Sequence, residues 1–273
     1  MSITPGADTA PPAAGRLPLW AKLVLFVALP VVFLILLGGI VLGAFALRGT
    51  TIAATESVVA GTAIDARLTN AAITVVPSDD DQVTVSVRGS YFGHRPSVDV
   101  TSRGGATVIT GGCRNGWFGL CRLTVRIEVP ARLPVTAAGQ NGGIRANGLE
   151  GPLELTTRNG SIDAHGTSGP VDLRTVNGSV RVTGAASADV EAITVNGDVD
   201  LSFVAPPDRV VAASTNGPVS IELPTTNVRY AIDARTVNGR IDMDGVTNSP
   251  GADRVVRAST TNGNVTVSSL DAR

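Results

Sequence analysis

Hydrophobic and polar positions follow three successive patterns along this chain. Residues 23–47 form an apolar run without a charged side chain. Residues 58–130 contain short runs in which apolar and polar residues alternate, and from residue 131 onward this alternation recurs at a nearly regular spacing. A long apolar run is typical of a membrane helix, whereas alternation with a period of two is typical of strands that bury one face. The patterns therefore predict one membrane helix followed by an all-β region.

The regular part of the chain is a repeat centred on an Asn-Gly dipeptide. Aligned on the asparagine, every copy has apolar residues six and four positions before it and three and five positions after it. Thr or Ser stands two positions before it in most copies. Each copy thus predicts a strand, a corner and a second strand, with one buried face on each arm. The corner asparagines are Asn141, Asn159, Asn177, Asn196, Asn216, Asn238 and Asn262.

Two architectures agree with this repeat. Asn-Gly favours the type I′ turn, so each copy could form an antiparallel hairpin. Alternatively, each copy is one coil of a β-solenoid, in which equivalent strands of successive coils pair in parallel. The solenoid is favoured, because each aligned column keeps one class of side chain, as stacking of like on like requires. We therefore expect a β-solenoid (β-helix-like) domain over residues 131–273, continuous with an N-terminal β-region over residues 58–130.

The N-terminal third of the chain predicts a membrane anchor. The apolar run of residues 23–47 would extend to roughly 37 Å as a helix, enough to cross a hydrocarbon core of about 30 Å. We predict a disordered cytoplasmic tail over 1–18, a transmembrane helix acting as a signal anchor over 19–48, and a tether over 49–57. A cleaved signal peptide is the alternative, but its apolar region is usually about 7 to 15 residues long.

Charges and cysteines suggest which side of the membrane holds the β-domain. Lys22 precedes the apolar run and Arg48 follows it, and an additional Arg16 mildly favours a cytoplasmic N-terminus. The two cysteines of the chain, Cys113 and Cys121, lie close together beyond the helix. In an oxidising compartment they could close a disulfide, and reduced thiols are the alternative. The sequence thus predicts an extracytoplasmic C-terminal domain of a single-pass cell-membrane protein.

Charge and motifs exclude several functions. With 22 Lys plus Arg and 23 Asp plus Glu, the formal net charge of −1 carries no basic footprint for nucleic acid. Motifs for a catalytic triad, a zinc protease or a phosphate-binding loop are absent from the sequence, so we predict no catalytic, cofactor-binding or metal-ligating residue. The remaining enzyme alternative is a polysaccharide-active β-helix with acids and a histidine on outer strand faces. Its candidate residues are Asp163, His165, Asp172, Asp198, Asp200, Asp242 and Asp244.

The loop between the cysteines is the best local candidate for binding. It contains Arg114, Trp117 and Phe118, and these residue types dominate the energetics of protein interfaces. A disulfide between Cys113 and Cys121 would order the loop before binding. In the alternative interpretation, the two aromatic side chains fold back and cover an open end of the solenoid.

Three features together resemble a known family. They are the membrane helix, an alternating β-region that ends at Val129-Pro130, and repeats of the form T-x-N-G-x-[V/I]-x-[V/I/L/M]. Over about residues 58–270 they resemble the putative adhesin domain family of bacterial envelope proteins. The resemblance implies a β-helix-like domain displayed at the cell envelope, without catalytic residues to carry over. We therefore expect surface binding or adhesion, with an envelope protein or glycan as partner. The alternative is an envelope scaffold or a stress-sensing partner of another membrane protein.

Overall fold

The computed structural model of the protein describes residues 18–46, 50–113, 121–225 and 227–270. The chain divides into a helical unit up to residue 48 and a β-unit from residue 49. The helical unit consists of α1 (Leu19–Leu23), a π-helical turn (Val24–Ala28) and α2 (Leu29–Ala46). In the π-turn the amide of Leu29 donates to the carbonyl of Val24, and Pro30, which has no amide hydrogen, follows directly.

The predicted membrane span depends on the length and hydropathy of the helices. Within the described part of the chain, no helix is both long and apolar enough to cross a membrane. The transmembrane helix predicted over residues 19–48 therefore stays a prediction.

The β-unit contains two large sheets, sheet A and sheet B. In spatial order, sheet A consists of β1 (Thr50–Val59), β4 (Gln82–Tyr91), β7 (Cys121–Pro130), β3 (Ala72–Ser78), β9 (Ile144–Asn147), β11 (Ile162–His165), β13 (Val180–Ala185), β15 (Val199–Phe203), β17 (Val219–Leu223), β21 (Val265–Ser269) and β19 (Ile241–Asp244). Sheet B consists of β18 (Tyr230–Asn238), β20 (Arg254–Asn262), β16 (Arg209–Asn216), β14 (Asp189–Asn196), β12 (Val171–Asn177), β10 (Leu153–Asn159), β8 (Val135–Asn141), β2 (Ile64–Thr69), β6 (Ala106–Gly112) and β5 (Ser97–Arg103).

Successive repeats stack in parallel rather than forming separate hairpins. Each repeat contributes one strand to sheet B, turns at its asparagine and contributes the next strand to sheet A. The register aligns like positions, as in the pairing of Leu153 with Val171 and of Asn159 with Asn177. Parallel strands in this register are the stacked arrangement that the column chemistry predicts. The chain is therefore an all-β repeat structure apart from its helical unit.

The coils occupy nine levels, and their order in space differs from their order in sequence. We number the levels from the end that carries β6 and β7. The strand pairs at levels 1 to 9 are β6/β7, β2/β3, β8/β9, β10/β11, β12/β13, β14/β15, β16/β17, β20/β21 and β18/β19. The chain thus completes level 9 before it returns to fill level 8. The earlier coil β2/β3 is likewise inserted between level 1 and level 3.

The N-terminal end of the stack differs from the sequence prediction. Residues 50–57, predicted as a tether, belong to β1, which pairs antiparallel with β4 along its whole length. β-Branched side chains are frequent in this segment, and they favour strands. β4 in turn pairs antiparallel with β7, and β5 pairs antiparallel with β6. Antiparallel strands therefore extend both sheets beyond level 1.

The core lies between the two sheets and consists of the apolar columns. Ile162, Val180 and Val199, in adjacent levels of sheet A, are at most 1% exposed. Ile241 occupies the same column at level 9 and is 46% exposed. The difference arises because β19 is the last strand of sheet A. Level 9 thus leaves a cross-section of the core open among the described residues.

Candidate binding surfaces

The asparagines of the corners form one continuous hydrogen-bonded column. Each side-chain amide donates to the side-chain oxygen of the asparagine one level closer to level 1, over 2.5 to 2.9 Å. The Nδ2 of Asn70, at level 2, donates to the carbonyl of Cys113 over 3.0 Å. The column runs through Asn70, Asn141, Asn159, Asn177, Asn196, Asn216, Asn262 and Asn238. These residues therefore connect the levels, as the repeat predicts for its seven Asn-Gly corners.

The threonine and glycine of the T-x-N-G motif form a second column of contacts. The hydroxyl of Thr175 donates to the carbonyl of Gly160, and that of Thr194 donates to the carbonyl of Gly178, both one level closer to level 1. A Cβ added to Gly178 would lie 2.2 Å from the carbonyl oxygen of Gly160. Glycine follows asparagine because the stacked corners approach each other too closely for a side chain. The motif is thus explained by stacking, without any ligand.

The corner of level 1 is built differently. Cys113 and Cys121 form a disulfide with their Cα atoms 6.0 Å apart. By register, Cys113 stands where Asn70 stands at level 2, so the disulfide takes the place of the next asparagine. Arg114, Trp117 and Phe118, the predicted binding residues, lie outside the described residues. Their role therefore stays a prediction.

Apart from Asp172, which lies on sheet B, the acids considered for an enzyme lie on strands of sheet A or directly before one. Arg145 lies 3.5 Å from Asp163, and Arg181 lies 3.4 Å from Asp200, so these acids pair with arginines of a neighbouring level. In the same outer column at level 9 stands Asp242. Side chains of opposite charge alternate along this column at the inner levels, which is an ordinary arrangement for a solvated sheet face.

Sheet B carries a groove on its outer face. Its volume is about 310 Å³, and its lining belongs to levels 3 to 7. Proline residues stand at one side, and carboxylates of successive strands stand at the other. The lining includes Pro134, Pro152, Pro170, Glu154, Asp172, Asp189, Glu191 and Arg209. Because these residues lie on strands and their immediate flanks, the groove is held by the sheet itself.

An ion-paired network occupies one end of this groove. Arg174 donates to Asp172 Oδ2 and to Glu191 Oε1. Partial desolvation lowers the pKa of Arg174, but the hydrogen bonds and charges of Asp172 and Glu191 together raise it above its ordinary value. Asp172 Oδ1 is buried and has no hydrogen-bond partner among the described residues. The Glu154 carboxylate, one level closer to level 1, also lines the groove and could accept from a ligand with hydroxyl or amine donors.

The sequence contains a signal for the groove that the apolar columns do not include. Five positions before the corner asparagine, three consecutive copies carry an acid, namely Glu154, Asp172 and Glu191. Registered stacking places such a column on one face of sheet B. The prolines form a second column, seven positions before the asparagine, at Pro134, Pro152 and Pro170. Both columns were therefore predictable, whereas the groove that they line together was not.

Comparison with known proteins identifies the repeat region. Residues 135–268 match the family described as Toastrack DUF4097, so this part of the chain is a Toastrack DUF4097 domain. No curated protein matches the sequence significantly. Among solved structures, a putative adhesin from Bacteroides fragilis is 15% identical, with 81% of this chain and 97% of that chain covered and a TM-score of 0.49. A putative adhesin from Parabacteroides distasonis is 14% identical, with coverages of 82% and 98% and a TM-score of 0.44.

Proposed function

We propose that this chain is a membrane-anchored protein of the cell envelope that binds an extracytoplasmic partner through the surface of its stack, without catalysis. The observation that carries the proposal is the groove on sheet B, whose lining includes carboxylates of successive levels. A rigid, concave surface with fixed acceptors suits a glycan or protein that presents hydroxyl or amine groups. Adhesion is the form of such binding in which the partner belongs to another surface.

The architecture supports a binding role in a second way. The asparagine and threonine columns tie each level to the next, so the outer faces keep a fixed spacing over roughly 38 Å, at about 4.8 Å per level. Extended rigid surfaces of this kind are what repeat proteins use for binding. The candidate acids Asp163 and Asp200 are engaged with arginines, which favours a structural use of their charge.

Two features support an anchored position outside the cytoplasm. Large apolar side chains are exposed in the described part of the helical unit, including those of Leu19, Phe26, Phe33 and Ile35. A helix that is apolar on all sides needs an apolar surrounding, which a bilayer would supply. The disulfide between Cys113 and Cys121 suits an oxidising compartment. Residues 19–48 would then serve as the signal anchor.

Cosedimentation of the full chain with isolated cell walls, and with envelope membrane proteins, tests the groove. Glu154→Arg places a cation on the rim of the groove, and we expect binding to fall at least tenfold. Thr156→Arg is the matched control, because Thr156 lies on the same strand and the same face but does not line the groove. Equal binding by both variants and the unchanged chain would contradict the proposal.

The anchor has a separate test. We expect the chain to stay with the membrane pellet after alkaline extraction, and external protease on intact cells to digest the β-unit. Deletion of residues 23–47 should release the chain from the membrane. Retention of the deleted chain in the pellet, or full protection of the β-unit from external protease, would overturn the anchored topology.

A further inference from the structure

We infer that β19, the last strand of sheet A, binds an extended peptide strand in which aliphatic and basic residues alternate. This inference deepens the proposed binding role and rests on it, but it assigns a different surface from the groove. The partner would add a further strand to sheet A, a recurring mode of peptide recognition in which backbone hydrogen bonds give affinity and alternate side chains give specificity.

The backbone of β19 has unused hydrogen-bonding groups. At the inner levels the amide in the Ile241 position donates to the next level, as Val219 donates to the carbonyl of Asn264 and Val265 donates to that of Arg240. The amide of Ile241 points the same way, and that of Met243 follows because alternate residues of a strand point to the same side. No described strand lies beyond β19, so both amides face the open end.

The side chains of β19 define what the added strand should carry. Ile241 and Met243 stand in the inner columns and are 46% and 39% exposed, whereas Val265 and Val267, one level inward, are fully buried. Aliphatic residues on the added strand would cover them. Burial of this apolar surface is favourable by about 25 cal/mol per Å².

The outer side chains of β19 select for basic residues. Asp242 and Asp244 have no ion-pair partner among the described residues. At inner levels of the same outer column, Asp163 is paired with Arg145 and Asp200 with Arg181. The stack itself therefore shows which side chain satisfies an acid in this column. Lysine or arginine at alternate positions of the added strand would pair with Asp242 and Asp244.

The neighbouring edge strand β18 is protected at its N-terminal part, unlike β19. Asn248 places its side-chain amide against the outer edge of β18, where its Oδ1 accepts from the amide of Ile232 over 2.9 Å and its Nδ2 donates to the carbonyl of Ile232 over 3.0 Å. The side chain thus imitates a further strand at this point. Protection of this kind is common at exposed sheet edges, and no described residue supplies it to β19.

Fluorescence anisotropy of labelled peptides with the full chain in detergent tests the inference. The probe is a capped peptide containing Val-Lys-Val-Lys-Val. Its controls are a Val-Glu-Val-Glu-Val peptide and the lysine peptide with all of its backbone amides methylated. We expect binding of the lysine probe to be at least tenfold tighter than that of either control. Equal affinity for the methylated peptide would show charge attraction without strand pairing and would overturn the inference.

Variants of the edge strand make the test specific. Met243→Pro removes an outward amide that has no partner in the described structure, a position where a strand accepts proline. We expect it to leave the circular dichroism spectrum unchanged and to weaken the lysine probe at least tenfold. Asp242→Lys with Asp244→Lys should reverse the preference toward the glutamate peptide. Ser220→Lys, in the column of Asp242 but two levels inward and so not adjacent to β19, is the control and should keep the original preference.

The remaining outcomes also decide the inference. Lack of binding by either peptide, or an unchanged affinity in Met243→Pro, would overturn it. Self-association of the unmodified chain that Met243→Pro abolishes would show a second copy on this edge, and would overturn the basic peptide as its occupant. Glu154→Arg in the sheet B groove should leave peptide binding unchanged. The binding proposals for the groove and for the edge strand are therefore tested independently.

Discussion

At the scale of single residues, the T-x-N-G corner shows how one stacking geometry selects three neighbouring side chains. The asparagine supplies both a donor and an acceptor to adjacent levels, and the threonine hydroxyl satisfies the glycine carbonyl one level below. The glycine itself gives room for the carbonyl of its neighbour. Each residue therefore makes a contact that exists only in the stack. A substitution at one corner should weaken contacts at two levels.

Replacement of Gly178 by alanine tests the close approach of the corners. The added Cβ would meet the carbonyl oxygen of Gly160 at 2.2 Å, at a φ of +157°. We expect the free energy of unfolding in urea to fall by about 1 to 3 kcal/mol, as for other overpacked sites. Gly143→Ala is the control, because its Cβ would have its nearest contact at 3.2 Å, with Ser161 O. Equal losses in the two variants would contradict the close approach of the corners as the reason for glycine here.

Asn70 shows where residue patterns alone fall short. Level 2 repeats the same columns, with Ile64 and Ala66 before the corner and Ile73 after it, all of them buried. Its corner reads Asn-Ala, so a search for Asn-Gly does not find it. At this corner the positive φ, +53°, belongs to Asn70 itself instead of the residue after it, so alanine is accommodated. The columns of buried residues therefore identify this coil as a repeat, whereas the Asn-Gly dipeptide does not.

At the scale of elements, level 1 closes its corner by a covalent bond instead of asparagine and glycine. The disulfide between Cys113 and Cys121 spans a short loop, and loss of it should cost about 2 to 3 kcal/mol in the chain-entropy model. Because levels contact mainly their neighbours, the loss should stay local. We expect Cys113→Ser with Cys121→Ser to speed amide exchange in β6 and β7 and to leave β14 and β16 unchanged.

Mass spectrometry of the full chain would measure this exchange. Reduction of the unchanged protein should reproduce the effect, whereas a reductant should have no further effect on the double variant. Faster exchange across all levels would contradict local coupling and would indicate that the stack opens as one unit.

The order of the last two coils could not be predicted from the repeat. The inner columns at levels 8 and 9 are nearly identical, so β20 could pair with β16 or follow β18 with equal packing. Contacts outside the repeat distinguish level 8: Arg254 donates to the carbonyl of Pro206 over 2.9 Å and pairs with Asp208. Pro206 and Asp208 precede β16 and Arg254 begins β20, so the contact lies outside the apolar columns of the repeat. Because the chain fills level 9 before level 8, β19 rather than β21 is the open edge. The peptide site therefore could not be predicted from the sequence either.

At the scale of the whole molecule, the stack behaves as a one-dimensional array. Asparagine, threonine and aliphatic columns make every inner level a suitable neighbour for every other. In such an array, stability is approximately a sum over levels and their interfaces. Folding should therefore tolerate the loss of one complete level and should not tolerate the loss of part of one, because a partial level misaligns the columns.

Deletion of residues 160–177 removes one such level and tests this view. The deletion joins Asn159 to Gly178, restores an Asn-Gly corner and brings β10 against β14 in register. Three costs are foreseeable. Arg145 would face Arg181, and Glu154 would face Glu191 without Arg174, each worth at most about 1 kcal/mol at solvent-accessible positions. The buried hydroxyl of Ser187 would lose Thr167, worth about 1 to 3 kcal/mol. We expect a cooperative thermal transition at a lower temperature by circular dichroism. Deletion of residues 160–168, which removes half a level, should abolish the cooperative transition. Equal thermal transitions of the two deletion variants would contradict the description of the stack as a one-dimensional array.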